Sequence, residues 1–121
     1  MDAYKKLDQN DKNRFDQNGY VIKKSMFVPD EMNTLFKTAQ QDNVVQKHTY
    51  GRKDKEGNTT KLALWYSLDD NIYSAFARSE RMVKGVELLM EGDPCHFHTK
   101  LMQKEPKVGG AWEWHQDYGY W

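Results

Sequence analysis

Apolar residues fall at helical spacing in two stretches, Met32 to Ala39 and Met82 to Met90, and alternate strictly only near the end of the chain. Leu7 to Asn18 is a mostly polar run that stops at Gly19, which reads as a polar helix with a left-handed C-terminal stop. Tyr20 to Lys24 reads as a short strand. Pro29 suits a first helical position, and Asp30 and Glu31 complement the positive end of the helix dipole. Val28 stands at the cap without a capping side chain, so that helix end is expected to be weak. Met32, Leu35, Phe36 and Ala39 then fall at i, i+3, i+4 and i+7, one apolar stripe on an amphipathic helix. The polar stretch Lys47 to Thr60, with Gly51 and Gly57, reads as a mobile loop.

Leu62 to Tyr66 is a candidate strand. Asp69 or Asp70 is expected to cap a short helix running through Phe76 or Ala77. Ser79 is expected to cap a second one, with Met82, Val83, Val86, Leu89 and Met90 on its buried side and Gly92 ending it. A strand over about Cys95 to Lys104 would put His96, His98, Lys100 and Met102 on one face. Pro106 to Gly110 is a turn. From Trp112 to Tyr120 the alternation predicts a strand with Glu113, His115 and Asp117 on one face and Trp112, Trp114, Gln116, Tyr118 and Tyr120 on the other. Helices and short strands come first and antiparallel pairing last, so the fold class is α+β with a sheet that has barely begun.

Composition narrows the classes. At 121 residues this is one domain or part of one. Net charge is zero, from 18 basic and 18 acidic residues, and no basic block exceeds Lys23-Lys24, which argues against a nucleic-acid surface. No apolar run suits a membrane span, and the N-terminus has no apolar leader core. The lone Cys95 excludes an internal disulfide and fits a reducing compartment, so the expected location is cytoplasmic.

The chemistry concentrates at His115 and Asp117. On a strand their Cα atoms would lie ~6–7 Å apart, close enough for imidazole and carboxylate to reach one metal ion. Such a pair is two-thirds of the 2-His-1-carboxylate triad that holds non-heme Fe(II) with open positions. The plain alternative is two polar residues on a solvated strand. Glu113 shares the face but would sit ~13 Å from Asp117, so a third ligand must come from elsewhere. His96 and His98 are the in-chain candidates, against the alternative of hydrogen-bonded sheet histidines. His48 reads as solvated, and Cys95 as a soft ligand or a small buried hydrophobe. Lys61 and Lys100 suit a dicarboxylate or a solvated surface. Arg52 to Glu56 reads as a solvated, charge-rich loop. No Ser-His-Asp arrangement, phosphate-cradling glycine loop or CxxC pair is present.

Several segments resemble the phytanoyl-CoA dioxygenase family. Phe15-Asp16-Gln17-Asn18-Gly19-Tyr20 is similar to its opening Phe-x-x-x-Gly-Tyr segment, and Pro29-Asp30-Glu31 to its helix start. Most specific is Lys104-Glu105-Pro106, then Gly109-Gly110, leading into His115-Gln116-Asp117. The resemblance implies an Fe(II)- and 2-oxoglutarate-dependent oxygenase that consumes O2, with ascorbate as a stimulating reductant, and that hydroxylates a small organic substrate. It implies His115 and Asp117 as iron ligands, and Lys61 and Lys100 at the 2-oxoglutarate site. The implied fold is a double-stranded β-helix (jelly-roll or cupin-like) behind N-terminal helices. In the halogenase branch a small residue replaces the carboxylate ligand, so Asp117 favours hydroxylation.

In the family, the second iron-binding histidine and the arginine for the far carboxylate of 2-oxoglutarate lie well downstream of the His-x-Asp pair. A jelly roll needs about eight strands, and this chain offers four candidates. Residues 1–121 are therefore expected to be the N-terminal part of a single such domain, inactive alone. They are also expected to self-associate through the edge strand ending Tyr118-Gly119-Tyr120-Trp121. Three other readings stay open: half of a split enzyme, a non-catalytic metal or small-molecule binding fragment, and a structural remnant.

Overall fold

A computed structural model describes residues 4–118, in the order α1 (Gln9–Asn18), α2 (Pro29–Gln41), α3 (Asn43–His48), β1 (Thr49–Lys53), β2 (Thr59–Trp65), α4 (Ile72–Ala77), α5 (Glu80–Met90) and β3 (Thr99–Gln103). They form two compact units. A helical unit takes the described residues up to Gln41 together with Tyr66–Phe97, and a sheet unit takes Asp42–Trp65 and the chain from His98 onward. The α+β class is as expected. No helix of the described residues is long and apolar enough to cross a membrane.

The helical unit is organised by caps and ion pairs. Asp8 begins α1, its Oδ1 accepting from the N–H groups of Asn10 (2.9 Å) and Asp11 (3.1 Å), while Asp11 Oδ2 accepts from the Asp8 N–H at 3.1 Å. These bonds satisfy amides that the first turn cannot. The helix ends at Gly19, as its sequence predicts, with φ +78° and an N–H bonded to the Phe15 carbonyl at 2.8 Å. Asp11 is buried and pairs with Lys23 Nζ at 2.5 Å and with Arg14. These cations, Lys23 first, hold its carboxyl down at about 2.

The strand expected over Tyr20 to Lys24 does not form. An extended run gains a ladder only beside a partner strand, and none pairs with it here; Tyr20 and Ile22 are exposed. At α2 the missing cap side chain is replaced by Glu31, whose carboxylate accepts from the Val28 N–H at 2.9 Å. Glu31 also takes the Arg81 guanidinium of α5, which holds its carboxyl at about 2. Arg81 donates to the Met26 carbonyl at 3.0 Å and lies 4.5 Å from the ring centres of both Tyr4 and Phe27.

The two helices expected after residue 69 are present, with different punctuation. Asn71, not Asp69 or Asp70, caps α4, its Oδ1 accepting from the Ser74 N–H at 2.9 Å. Ser79 precedes α5, but its hydroxyl donates to the Phe76 carbonyl instead. That helix ends at Glu91 in a left-handed conformation (φ 54°), one residue before Gly92.

The sheet unit replaces the loop expected over Lys47 to Thr60. That stretch contains the end of α3, all of β1, a tight turn and the start of β2. The turn closes when the Asp54 N–H bonds the Asn58 carbonyl at 3.0 Å, with Gly57 at φ +88°. The sheet is antiparallel in the order β1-β2-β3. Its register pairs Arg52 with Thr60, Lys61 with Gln103 and Leu64 with Lys100. Side chains alternate, and directly paired residues share a face. Arg52, Thr60, Leu62, Leu64 and Lys100 therefore project to one side; Lys61, Ala63 and Trp65 project to the other.

Helix α3 packs against β2. Val45, Leu62, Ala63 and Trp65 are buried and form the core of this unit. Strand β3 is shorter than expected and begins at Thr99, so His96 and His98 precede it rather than sharing its face with Lys100.

Candidate metal centre

The segment after β3 is held down before it reaches His115. A turn forms over Glu105 to Gly109, where the Gly109 N–H bonds the Glu105 carbonyl at 2.9 Å. Gly110 is buried against the β1–β2 turn: a Cβ there would lie 2.6 Å from the Asn58 carbonyl oxygen and 3.0 Å from Asp54 Oδ2. Only glycine admits that approach. The buried Thr60 hydroxyl donates to the Gly110 carbonyl at 3.1 Å, and the Ala111 N–H donates to Asp54 Oδ2 at 2.9 Å. That amide is the main cause that lowers the Asp54 carboxyl below its usual range. Next, the Trp112 indole takes the Arg52 guanidinium at 4.1 Å from its ring centre and the Lys100 ammonium at 5.5 Å.

Beyond this stem, the described part of the strand expected over 112–120 is not formed. Residues 112–118 lack a ladder partner and bend at Asp117, and 119–121 lie outside the described residues. Trp114 is exposed instead of packed, so the aromatic face expected opposite His115 does not exist over 112–118. The edge strand invoked for self-association is likewise absent there; the outer strands of the sheet are β1 and β3.

His115 and Asp117 nevertheless meet, through a local bend rather than through strand alternation. His115 Nε2 lies 3.0 Å from Asp117 Oδ1, and His115 Nδ1 lies 2.7 Å from the Glu113 carbonyl oxygen. A carbonyl only accepts, so Nδ1 carries a hydrogen and donates it. In that tautomer the neutral ring turns the Nε2 lone pair toward the Asp117 carboxylate. An imidazole tethered through one nitrogen to a backbone carbonyl, with the other aimed at a carboxylate, is how metal-binding histidines are oriented. The donor set therefore fits a divalent metal, with one nitrogen and one oxygen ligand. Trp112, Glu113, Trp114, His115 and Asp117 line a hollow of about 350 Å³. Among the described residues, no three of His, Cys, Asp or Glu are grouped to hold a metal ion.

The structure separates the two lysines. Lys100 shares its sheet face with Arg52 and approaches Trp112. Lys61 projects to the opposite face and pairs with Glu105 at 2.7 Å, which lowers the Glu105 carboxyl. His96 belongs to the helical unit and His98 to the sheet unit. Cys95 is exposed. Asp54, Thr60 and Arg52 are the stem residues that a reading of 47–60 as loop misses; the signal for them is Asp54-x-x-Gly57-Asn58, a hairpin turn leading into Thr59-Thr60.

The phytanoyl-CoA dioxygenase (PhyH) family profile matches residues 15–121, and so covers both units and the His-x-Asp segment. The chain belongs to the phytanoyl-CoA dioxygenase family. The L-proline trans-4-hydroxylase of Streptomyces griseoviridis is 31% identical over 68 residues, which is 55% of this chain and 25% of that relative. The match thus spans a quarter of the relative's length. No solved structure matches the chain. Family membership places these residues among oxygenase sequences.

Proposed function

We propose that this chain is the N-terminal part of a cytoplasmic, Fe(II)- and 2-oxoglutarate-dependent hydroxylase of a small organic substrate. The observation that carries the reading is the tethered His115 imidazole facing the Asp117 carboxylate at 3.0 Å, within a family-matched segment. On this reading β1–β3 are the first strands of a double-stranded β-helix, and the third metal ligand lies outside the described residues. Bound Fe(II) and 2-oxoglutarate supply the chemistry: O2 activation, oxidative decarboxylation to succinate and CO2, and hydroxylation of a C–H bond.

The residues of the chain bind and orient. His115 offers Nε2, with its tautomer set by the Glu113 carbonyl, and Asp117 offers a carboxylate oxygen. Lys100, on the Arg52 face beside Trp112, and Lys61, beside Glu105 on the other face, are the two candidate cations for an anionic cosubstrate. Retention of Asp117 favours hydroxylation over halogenation.

Anaerobic Fe(II) titration of the purified chain, read by calorimetry, tests this. One saturable site is expected, weakened at least about tenfold by His115→Ala and by Asp117→Ala. Binding equal in all three proteins would sink the reading. Succinate formation with 2-oxoglutarate and ascorbate is expected at no more than the His115→Ala rate, because two protein ligands leave the site incomplete.

A further inference from the structure

Three successive residues, Gly110, Ala111 and Trp112, are each fixed by a different part of the sheet unit, and His115 follows only three residues later. Asp54 is the hub of this arrangement. Its Oδ1 accepts from the N–H groups of Glu56 (2.9 Å) and Asn58 (2.8 Å) and so closes its own turn. Its Oδ2 accepts from Asn58 Nδ2 (3.1 Å) and from the Ala111 N–H (2.9 Å). One carboxylate thus ties the shape of the β1–β2 turn to the backbone that leads into His115. The buried Thr60 hydroxyl holds the adjoining Gly110 carbonyl from β2.

We infer that Asp54 is a positioning residue: its carboxylate latches the β1–β2 turn onto Ala111 and thereby fixes the backbone that presents His115 and Asp117. This rests on the metal reading above for its purpose, but not for its existence. Four hydrogen bonds to one half-buried carboxylate exceed what a hairpin turn needs. The fourth is spent on a residue 57 positions away. Charge strengthens each of them, because the acceptor is ionised.

Asp54→Asn isolates the latch from the turn. Asparagine keeps one carbonyl oxygen for Glu56 and Asn58, and turns an NH2 group against the Ala111 N–H, donor against donor. The experiment uses the full 121-residue chain, with amide hydrogen exchange as the metal-free measurement and Co(II) as the metal probe. In Asp54→Asn the Glu56 and Asn58 amides should stay protected while the Ala111 amide exchanges about tenfold faster. Co(II) affinity should fall about tenfold or more, with a changed visible spectrum for the bound ion. Thr60→Val should show the same pattern more weakly, and Thr60→Ser should restore it.

Unchanged Ala111 exchange in Asp54→Asn overturns the latch. Faster exchange with unaltered Co(II) affinity and spectrum overturns its positioning role. If wild-type chain binds Co(II) no better than His115→Ala, the metal reading fails instead, and the exchange data still decide whether the latch exists.

Discussion

The two units are held together by different forces. In the helical unit, Tyr73 is the one apolar side chain among the described residues that is buried, alongside Asp11, Lys12 and Ser74. Its order comes from helix caps, from Asp11 between Lys23 and Arg14, and from Glu31 on Arg81. Apolar residues on its helices, Met32, Phe36 and Met90 among them, stay exposed. The sheet unit buries Val45, Leu62, Ala63 and Trp65, and it carries the His115–Asp117 pair. Local signals suffice to make helices, whereas the sheet unit depends on apolar burial between separate elements.

The largest effect should follow from emptying that core. Leu62 is 1% exposed on the middle strand, beneath the face that carries Trp112. Leu62→Ala should cost ~2–5 kcal/mol, the transfer term plus a cavity. Urea titration followed by tryptophan fluorescence measures it. A loss below ~1 kcal/mol would mean that the sheet unit is not the packed one, and the contrast would collapse.

The same contrast explains what the sequence discloses. Gly19, Pro29 and the stripe from Met32 to Ala39 are local signals, and the helices they predict are present at nearly the expected bounds. Strand β1 was hidden because Thr49, Arg52 and Lys53 look like loop residues; only pairing with β2 makes them a strand. Conversely, Tyr20 to Lys24 and Trp112 to Tyr118 carry strand-like residues but have no partner, and a strand without a partner is not one. His-x-Asp spacing correctly brings imidazole and carboxylate together, although by a bend. The separation of Lys61 from Lys100 follows from sheet register, which no single segment contains.

A smaller cost should come from crowding the stem. Gly110→Ala places a methyl 2.6 Å from the Asn58 backbone oxygen, an atom that cannot swing aside as a side chain does. Overpacking of this kind costs ~1–3 kcal/mol. The turn and the His-x-Asp segment must separate to relieve it, so Fe(II) affinity should fall along with the melting temperature. A variant as stable as wild type, with unchanged affinity, would show that the stem is looser than its contacts imply.

The helical unit should respond to acid. The Asp11 and Glu31 carboxyls are held at about 2 by their cationic partners, below the unfolded range near 4. With the folded value depressed, their contribution is full above the unfolded value and is lost as pH falls from about 5 toward 2. Arg81→Gln removes the Glu31 partner. The stability gap between wild type and this variant should therefore be widest above pH 5 and close toward pH 2. Helical circular dichroism in urea, repeated across that range, reads the gap. A gap independent of pH would assign Arg81 to packing on Tyr4 and Phe27 rather than to charge.

The smallest effect is expected on the apolar stripe of α2. Phe36 lies at the centre of the α2 stripe yet is 63% exposed, and Met32 beside it is 44% exposed. Little apolar surface is withdrawn from water there, so Phe36→Ser should change stability by no more than ~0.5 kcal/mol, the usual range for surface substitutions. Serine is a somewhat poorer helix former, and that difference is within the same range. The comparison with Leu62→Ala is direct, since both substitutions delete a large apolar side chain and differ chiefly in burial. Should Phe36→Ser cost 2 kcal/mol or more in the same urea titration, the α2 stripe must be covered in solution. The helical unit would then have an apolar core of its own, and ion pairs and caps would no longer account for its order.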